Sequence, residues 1–447
     1  MLSYNNPVEG RLTPNDIDRG GLLPQKHLMP NGKPIFFFPD NSIELVRFDF
    51  VFEAGTALQQ KKLQSAAAIM LLTAGTRHHT ARQIAEFMDF RGIALEQTND
   101  SVSATLTVYS HVRYAKELLP LLHEMITEST YPDDEFDIFR TKRKQRLLVN
   151  MQQTSYVARM IYYDGLFGRN HPLGAFAEPE DIDLLSVDDV RSFHRLYHTP
   201  SRLMIVAGGN VGPELLSLMD CLFGSEAVDD CSSIVLPEPM ATHHGLYRMP
   251  MPGAVQNTLR VGRLLPLKWN DMDYAHFMVL NTVLGGYFGS RLMSNLREDK
   301  GYTYGINSMT QIYRGFLVFH IITDVASDKS EAAIKEILKE MQRLCDEPVG
   351  DEELMMVRSC MLGDFMRSID GVFERCERFC QMMTSGVSEV FTDNFMSVLT
   401  SGGHDGSTPQ KLQSLAQSIF SVPDLVMVSA GAMENMDAAM DDAEYSD

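Results

Sequence analysis

Phenylalanine recurs at every second position in the clearest pattern of the first half. Phe48, Phe50 and Phe52 alternate with other residues, and a period of two is typical of a strand with one buried face. The pattern predicts a strand over residues 43–53 and a shorter strand over 34–40 just before it. Sheet-forming segments therefore come early in the chain.

Helix signals follow this strand. A helix is predicted over residues 59–72, and Gly75 after it suits a left-handed cap. Thr80 and Gln83 have the spacing of a capping box, in which each side chain bonds the backbone of the other residue. A second helix is therefore predicted to begin at Thr80 and to run to Gly92.

The rest of the chain alternates between predicted strands and predicted helices. In the first half, strands are predicted over 93–98, 101–110 and 203–207, and helices over 112–129, 133–158 and 187–198. In the second half, a strand is predicted over 255–264 and long helices over 327–345 and 350–385. Long helices beside short strands indicate a mixed fold.

Two segments of the first half have counterparts in the second. Residues 203–209 (LMIVAGG) resemble 425–431 (LVMVSAG), and residues 69–75 (IMLLTAG) resemble 280–286 (LNTVLGG). In both halves a predicted strand comes before the helical segment and long helices follow it. Because unrelated domains would not usually share both landmarks in the same order, the sequence indicates an internal duplication.

The duplication predicts an α+β fold of two homologous α/β domains, each a mainly antiparallel sheet packed with helices. Residues 229–233 (DDCSS) and the Pro-Glu-Pro at 237–239 interrupt any periodicity. We therefore predict a first domain over 1–230, a linker over 231–245 and a second domain over 246–447.

Composition restricts the classes of function. The 447-residue chain has a net charge of −20, so nucleic acid and anionic membranes are poor partners. It lacks an apolar run long enough to span a membrane, and residues 1–7 lack the basic and apolar regions of a secretory signal. These features predict a cytoplasmic protein. Its six cysteines include Cys376 and Cys380, which we interpret as buried reduced thiols.

Three further motifs connect this order of elements to a known family. They are Gly75-Thr76 after an apolar run, residues 170–174 (NHPLG) and residues 197–200 (YHTP). With the duplicated plan, they resemble the pitrilysin/insulinase family of zinc peptidases over almost the whole chain. In active members of that family, an H-x-x-E-H motif on the first helix precedes the Gly-Thr pair.

The resemblance implies that the zinc site has been lost from this chain. It places Ala66 and Met70 where the two His ligands would be, Ile69 at the general base, and Thr141 at the third ligand, a Glu. Two His four residues apart lie on one helix face and can hold zinc together, while the Glu polarises a bound water. These four side chains offer methyl groups, a thioether and a neutral hydroxyl, so we expect this chain to bind no metal.

The second half keeps the family's substrate-contacting motif. Residues 284–292 (LGGYFGSRL) resemble its Gly-rich turn, and an Arg and a Tyr seven residues apart follow, here Arg297 and Tyr304. The resemblance implies that Tyr304 donates a hydrogen bond to the oxyanion of the tetrahedral intermediate and that Arg297 contacts a substrate carbonyl. The other interpretation is that Arg297 is a solvated helix residue and Tyr304 an ordinary strand residue.

Some family peptidases pair a zinc-bearing subunit with a subunit that carries the Arg and Tyr. The resemblance implies that this chain is of the second kind, with Zn²⁺ in a partner subunit and a peptide substrate added as a strand to a sheet edge. Self-association as a homodimer is also open. The alternative function is that of a non-catalytic structural or peptide-binding protein of the same fold.

One remaining histidine pair has the spacing of metal ligands. His194 and His198 form H-x-x-x-H at the end of a predicted helix. No third ligand is evident near them in the sequence, so we interpret both as structural residues.

Overall fold

The computed structural model describes residues 23–239, 244–400 and 406–432. Residues 1–7, on which the absence of a secretory signal was predicted, lie outside these ranges. No helix among the described residues is long and apolar enough to cross a membrane.

The first half of the chain forms six strands and eight helices within the described residues. The strands are β1 Gln25–Leu28, β2 Pro34–Pro39, β3 Leu45–Phe52, β4 Ala94–Asn99, β5 Ala104–His111 and β6 Leu203–Gly209. The helices are α1 Gln64–Met70, α2 Ala81–Arg91, α3 Ala115–Thr127, α4 Asp133–Asn150, α5 Thr154–Phe167, α6 Pro179–Leu184, α7 Val187–Tyr197 and α8 Pro213–Phe223.

The second half repeats the alternation with five described strands. The strands are β7 Gly245–Pro250, β8 Gln256–Leu264, β9 Thr303–Tyr313, β10 Phe316–Ala326 and β11 Val426–Gly431. The α-helices are α9 Met272–Asn281, α10 Ser330–Asp346, α11 Asp351–Arg367, α12 Val372–Ser385, α13 Glu389–Thr400 and α14 Pro409–Ile419. Two π-helical segments, Thr282–Gly286 and Met293–Asp299, lie between α9 and β9.

The two sheets have corresponding strand orders. The first sheet is ordered β1-β2-β6-β3-β5-β4 and the second β7-β11-β8-β10-β9. In both, the strand that ends the half is parallel to the first of its two neighbours and antiparallel to the second. The predicted mixed fold of two antiparallel-rich sheets packed with helices is confirmed. Residues 224–239 contain no helix or strand, and the boundaries at 230 and 245 stay a prediction.

Several predicted helices differ from the observed ones. The helix predicted over 59–72 begins only at Gln64, after a short 3₁₀ turn over Thr56–Leu58. The long helices predicted over 133–158 and 350–385 are wrong, because each is two helices with a break near 151–153 and 368–371. Both halves break their long helix at the same place in the plan.

The breaks allow the two halves to exchange helices. Helix α5 of the first half packs on β8 and β11 of the second sheet, where the hydroxyl of Tyr162 donates to the Phe319 carbonyl at 2.7 Å. Helix α12 of the second half packs on β2, β3 and β6 of the first sheet, with ring centroids of Phe36 and Phe379 4.9 Å apart. Each sheet is therefore covered by a helix from the other half.

This exchange explains why β3 is buried on both faces, although its pattern predicted one buried face. Arg47 and Asp49 lie under α12 and are 5% and 0% exposed. Their side chains form a two-point ion pair with N–O distances of 2.8 and 2.9 Å. Arg47 also donates to the Phe373 carbonyl of α12 at 3.0 Å, and Thr107 donates to Asp49 at 2.7 Å. The charges are tolerated because their hydrogen-bonding groups find partners.

Glycines on the sheets make room for the exchanged helices. A Cβ on Gly208 of β6 would lie 2.4 Å from the Sγ of Cys376 on α12, and a Cβ on Gly262 of β8 would lie 2.3 Å from the hydroxyl of Tyr162 on α5. All six cysteines are free, and of the two interpreted as buried thiols Cys376 is buried whereas Cys380 is partly exposed. Burial raises the pKa of the Cys376 thiol to about 12, which keeps it protonated and unreactive.

We expect Gly208→Ala to lower the free energy of unfolding by about 1–3 kcal/mol, because the added methyl would push α12 away from the sheet. Urea denaturation measures the change. The control Gly363→Ala lies in α11 with nothing within 4 Å of the new Cβ, and it should stabilise by about 0.5–1 kcal/mol through helix propensity. Cys376→Ala should lower the free energy of unfolding less in the Gly208→Ala variant than in the natural chain, because it removes the sulfur that the new methyl group contacts. Equal costs would contradict the steric explanation.

Stability should also depend on pH through His320 of β10. Its side chain is buried without a partner for either ring nitrogen among the described residues. Burial, reinforced by nearby Arg260, lowers its pKa from 6.5 to about 4. Between these values the unfolded chain binds more protons than the folded one, so the free energy of unfolding falls as pH falls, by roughly 3 kcal/mol over the window. Urea denaturation of the natural chain and of His320→Leu across this window should give a shallower slope for the variant; parallel curves would contradict the assignment.

Candidate functional site

The helix that corresponds to the zinc helix is built into the first core. Ala66 and Ile69 of α1 are 6% and 0% exposed, and Met70 is half-buried against the same apolar cluster. The hydroxyl of Tyr131 donates to the Ala68 carbonyl at 2.9 Å, and the amide of Gln97 donates to the Ile69 carbonyl at 2.6 Å. The side chains at the motif positions therefore serve to pack α1.

Thr141 does not supply a ligand in this structure. It lies exposed on α4, where its hydroxyl donates to the Asp137 carbonyl one turn earlier at 2.9 Å. Helix α1 packs mainly on α7 and β4, whereas α4 packs on α6. Within the described ranges, no group of three or more His, Cys, Asp or Glu side chains could hold a metal ion. The donor set at α1 does not fit zinc.

Arg297 and Tyr304 come together on the surface of the second half. Arg297 lies in the second π-helical segment, and its guanidinium carbon is 5.3 Å from the ring centroid of Tyr304 and 4.7 Å from that of Phe288. Tyr304 is 91% exposed and Phe288 64% exposed. A guanidinium between two aromatic rings is held by cation–π attraction, which leaves its N–H groups available. We call these three side chains the Arg297 cluster.

A β-bulge directs Tyr304 outwards. β9 is an edge strand, and its pairing with β10 shifts register between Thr323 and Val325, opposite Tyr304. The Thr323 hydroxyl donates to the Gly305 carbonyl at 2.9 Å, and the Gly305 amide donates to the Thr303 hydroxyl at 3.0 Å. Bulges of this kind re-aim a side chain at the end of a strand. The sequence motif at Tyr304 is thus held by local hydrogen bonds.

The end of α9 and the first π-helical segment after it pack against β9. Asn281 donates its side-chain amide to the Ser308 carbonyl at 3.2 Å, and the Ser308 hydroxyl donates to the Asn281 carbonyl at 3.0 Å. A Cβ on Gly285 would lie 2.7 Å from the Ser308 hydroxyl oxygen, so this glycine permits the close approach. The Gly-rich turn therefore packs closely on β9, the strand that carries Tyr304.

The charge of Arg297 is not neutralised within the part of the chain that the structure describes. Neighbouring Arg291 forms a two-point ion pair with Glu353 at 3.0 and 2.9 Å, whereas Arg297 lies against two aromatic rings and forms no ion pair with another described residue. Sequence reasoning missed Phe288, and the only signal was an aromatic residue inside a Gly-rich turn. The Arg297 cluster can bind a carbonyl or carboxylate group and present a phenol beside it.

Comparison with known proteins bears on this site directly. The model of the peptidase M16 inactive domain matches residues 185–359, a range that includes both Arg297 and Tyr304. M16 is the designation of the pitrilysin/insulinase peptidases, so the resemblance seen in the sequence is confirmed. The chain is a relative of the M16 peptidases.

Curated M16 relatives are similar over most of their length. The "uncharacterized zinc protease YmxG" of Bacillus subtilis is 24% identical over 68% of this chain and 74% of its own. The "non-peptidase homolog YmxG" of Helicobacter pylori is 22% identical over 74% of this chain and 77% of its own. One of these two relatives is named a protease and the other a non-peptidase, so similarity to them is compatible with either property.

Solved structures share the fold. An M16 inactive domain from Pseudomonas fluorescens superposes with a TM-score of 0.80 at 18% identity, covering 93% of this chain and 100% of that one. A Helicobacter pylori protease superposes with a TM-score of 0.79 at 16% identity, covering 92% and 100%. The two-sheet frame is therefore that of M16 proteins.

Introducing the H-x-x-E-H motif into α1 should not create a zinc site in this chain. We expect the variant Ala66→His/Ile69→Glu/Met70→His to unfold at a lower temperature, because a carboxylate at position 69 enters the core. Added Zn²⁺ should leave the unfolding temperature unchanged, since a metal stabilises only the state that binds it. Differential scanning calorimetry with and without Zn²⁺ tests this, with Arg82→His on exposed α2 as the control for adventitious binding. A clear rise with Zn²⁺ in the triple variant alone would show that α1 faces a usable site.

Proposed function

We propose that this chain is the non-zinc, substrate-binding subunit of a two-subunit M16 metalloendopeptidase. The observation that carries the proposal is the Arg297 cluster, in which a half-buried Arg and an exposed Tyr are held by a π-helical segment and a bulge, and the Arg has no carboxylate partner among the described residues. Structural residues would usually be buried or paired, as Arg291 is with Glu353.

The proposed roles follow from the chemistry of the two side chains. Tyr304 would donate its O–H to the oxyanion that forms when a peptide carbonyl is attacked, and Arg297 would donate to a neighbouring substrate carbonyl. The peptide would lie as an added strand along a sheet edge of the partner. Zn²⁺ and its bound water are expected in the partner, since α1 of this chain offers no donors that fit.

Because α1 lacks the zinc-ligating side chains, any peptidase activity would require a different, zinc-bearing subunit, which favours a heterodimer. A homodimer would join two chains whose motif positions are Ala66, Ile69 and Met70, and neither would supply a metal or a general base. A cytoplasmic location agrees with six free cysteines, because disulfides are rare in reducing compartments.

The alternative proposal is a non-catalytic structural or peptide-binding protein. The exposure of the rings of Phe288 and Tyr304 favours it, because aromatic rings beside a cation bind peptides without any chemistry. The name of the Helicobacter pylori relative, a non-peptidase homolog, also agrees with this alternative.

Mutation in a reconstituted complex separates the two proposals. The chain is co-expressed with a zinc-bearing M16 protein, and peptide hydrolysis is measured for the natural chain, Tyr304→Phe, Arg297→Ala and the control Lys300→Ala. We expect Tyr304→Phe to lower kcat by roughly 100-fold, as for the loss of one oxyanion donor. Arg297→Ala should mainly raise KM, because it removes a contact made by bound substrate. Lys300 is exposed beside the cluster, and its loss should change little.

Two results would remove the enzymatic proposal. One is full activity of the complex that contains Tyr304→Phe and Arg297→Ala. The other is that no active complex forms, while the isolated chain binds peptides and loses them on Arg297→Ala; this result would establish the binding protein instead.

A further inference from the structure

A cavity in the first half lies apart from the Arg297 cluster and has a volume of about 480 Å³. It opens where β3 ends and β6 begins, between α3, α7 and α8. Its volume falls within the range of small-molecule sites, about 300–1,000 Å³. Much of its wall is apolar, with Phe52, Ile126, Leu203, Leu222 and Phe223 among the lining residues.

One buried polar side chain in the wall lacks a partner. His198 is 6% exposed, and neither of its ring nitrogens has a hydrogen-bond partner among the described residues. Its ring is fixed by stacking on Phe52, with centroids 4.7 Å apart and planes 26° apart. Burial lowers the pKa of His198 well below 6.5, so the ring is neutral and offers one N–H and one lone pair. A native protein usually satisfies such a group.

His194 provides a second polar group on the same wall. Its Nε2 donates to the Ile126 carbonyl at 2.8 Å, which leaves the Nδ1 lone pair of the ring as an acceptor. The rings of His194 and His198 are 5.1 Å apart at 80°. The two histidines thus line one side of the cavity as neutral hydrogen-bonding groups. They were interpreted from sequence as structural, and nothing in the described ranges gives them a third metal ligand.

The exposed part of the cavity is lined by charges of both signs, and two of its arginines have no ion-pair partner among the described residues. Arg77 and Arg195 line it, are exposed, and form no ion pair with another described residue. Arg191 is already bound to Asp133 and Asp188. Two acids also line the cavity: Glu128, 3.5 Å from His78, and the exposed Glu226. Arg77 and Arg195 therefore have guanidinium groups with which a ligand carboxylate could pair, despite the two acids in the same lining.

We propose that this cavity binds a small carboxylic acid with an apolar body and a hydroxyl group at its far end. The carboxylate would pair with Arg77 and Arg195 on the exposed side, the body would cover the apolar wall, and the hydroxyl would pair with His198. Each part of the ligand thus has a counterpart among the lining residues. The site is independent of the Arg297 cluster and of any zinc-bearing partner.

The test uses the purified full chain and isothermal titration calorimetry. The probe acids are 4-hydroxyphenylacetate and the linear 6-hydroxyhexanoate, each compared with its relative without the hydroxyl and with its methyl ester. We expect at least one hydroxy acid to bind with a Kd below about 1 mM. Removing the hydroxyl or esterifying the carboxylate should each weaken binding about tenfold or more, because each leaves a protein group without its partner.

Variants assign each end of the ligand. His198→Phe keeps the ring stack on Phe52 and should abolish the preference for the hydroxyl while keeping the preference for the free acid. Arg195→Gln, on the surface, should weaken the preference for the free acid and Arg77→Gln/Arg195→Gln should abolish it, both with the hydroxyl preference kept, and Arg82→Gln on α2 serves as the control with natural affinity. Unfolding curves verify that each variant folds. Absence of saturable binding by both acids up to about 10 mM would overturn the proposal, as would equal binding of acid and ester, or a His198→Phe chain that still prefers the hydroxyl.

Discussion

Each sheet of this protein is closed by a helix that the other half of the chain supplies, and the rest of the structure depends on this exchange. Helix α12 covers β3 and β6, and α5 covers β8 and β11. Without the exchange, both sheets would expose an apolar face and Arg47 would lose its bond to Phe373. A buried ion pair adds little net stability, but it requires α12 to sit in one register. The halves should therefore fold as one cooperative unit.

The two halves share the same order of strands and helices, but the segment after the corresponding strand differs between them. In the first half, the segment after β3 is the regular helix α1, with small and apolar side chains at the motif positions. In the second half, the equivalent segment after β8 is α9 continued by a π-helical segment, and Gly285 lets it approach β9. π-Helical segments are rare, and they occur frequently at functional sites. In the second half one such segment contains Arg297 and both pack against β9, whereas the side chains of α1 at the motif positions are buried or half-buried.

Much of this could be predicted from the sequence, for identifiable reasons. Strand periodicity, the capping box at Thr80 and the repeated LMIVAGG segment are local signals, and they predicted β3, α2 and the duplicated plan correctly. The helix breaks near 152 and 369 could not be predicted, because no proline marks them and they exist to let helices cross to the other sheet. The second buried face of β3 could not be predicted either, because the helix that covers it, α12, comes from the other half of the chain. Phe288 was missed because its role depends on the π-helical segment that brings Arg297 over its ring.

Tyr131 connects the cavity of the first half to helix α1. Tyr131 lines the cavity, its ring lies 5.2 Å from that of His194, and its hydroxyl donates to the Ala68 carbonyl of α1. A ligand that orders His194 and His198 would therefore act on α1 and the first sheet, whereas Arg297 is held by elements of the second half. Any coupling between the two surfaces would have to pass through the exchanged helices, since these tie one sheet to the other. The cavity lies in the first half and the Arg297 cluster in the second, so the two proposed sites are held by different sheets of the same frame.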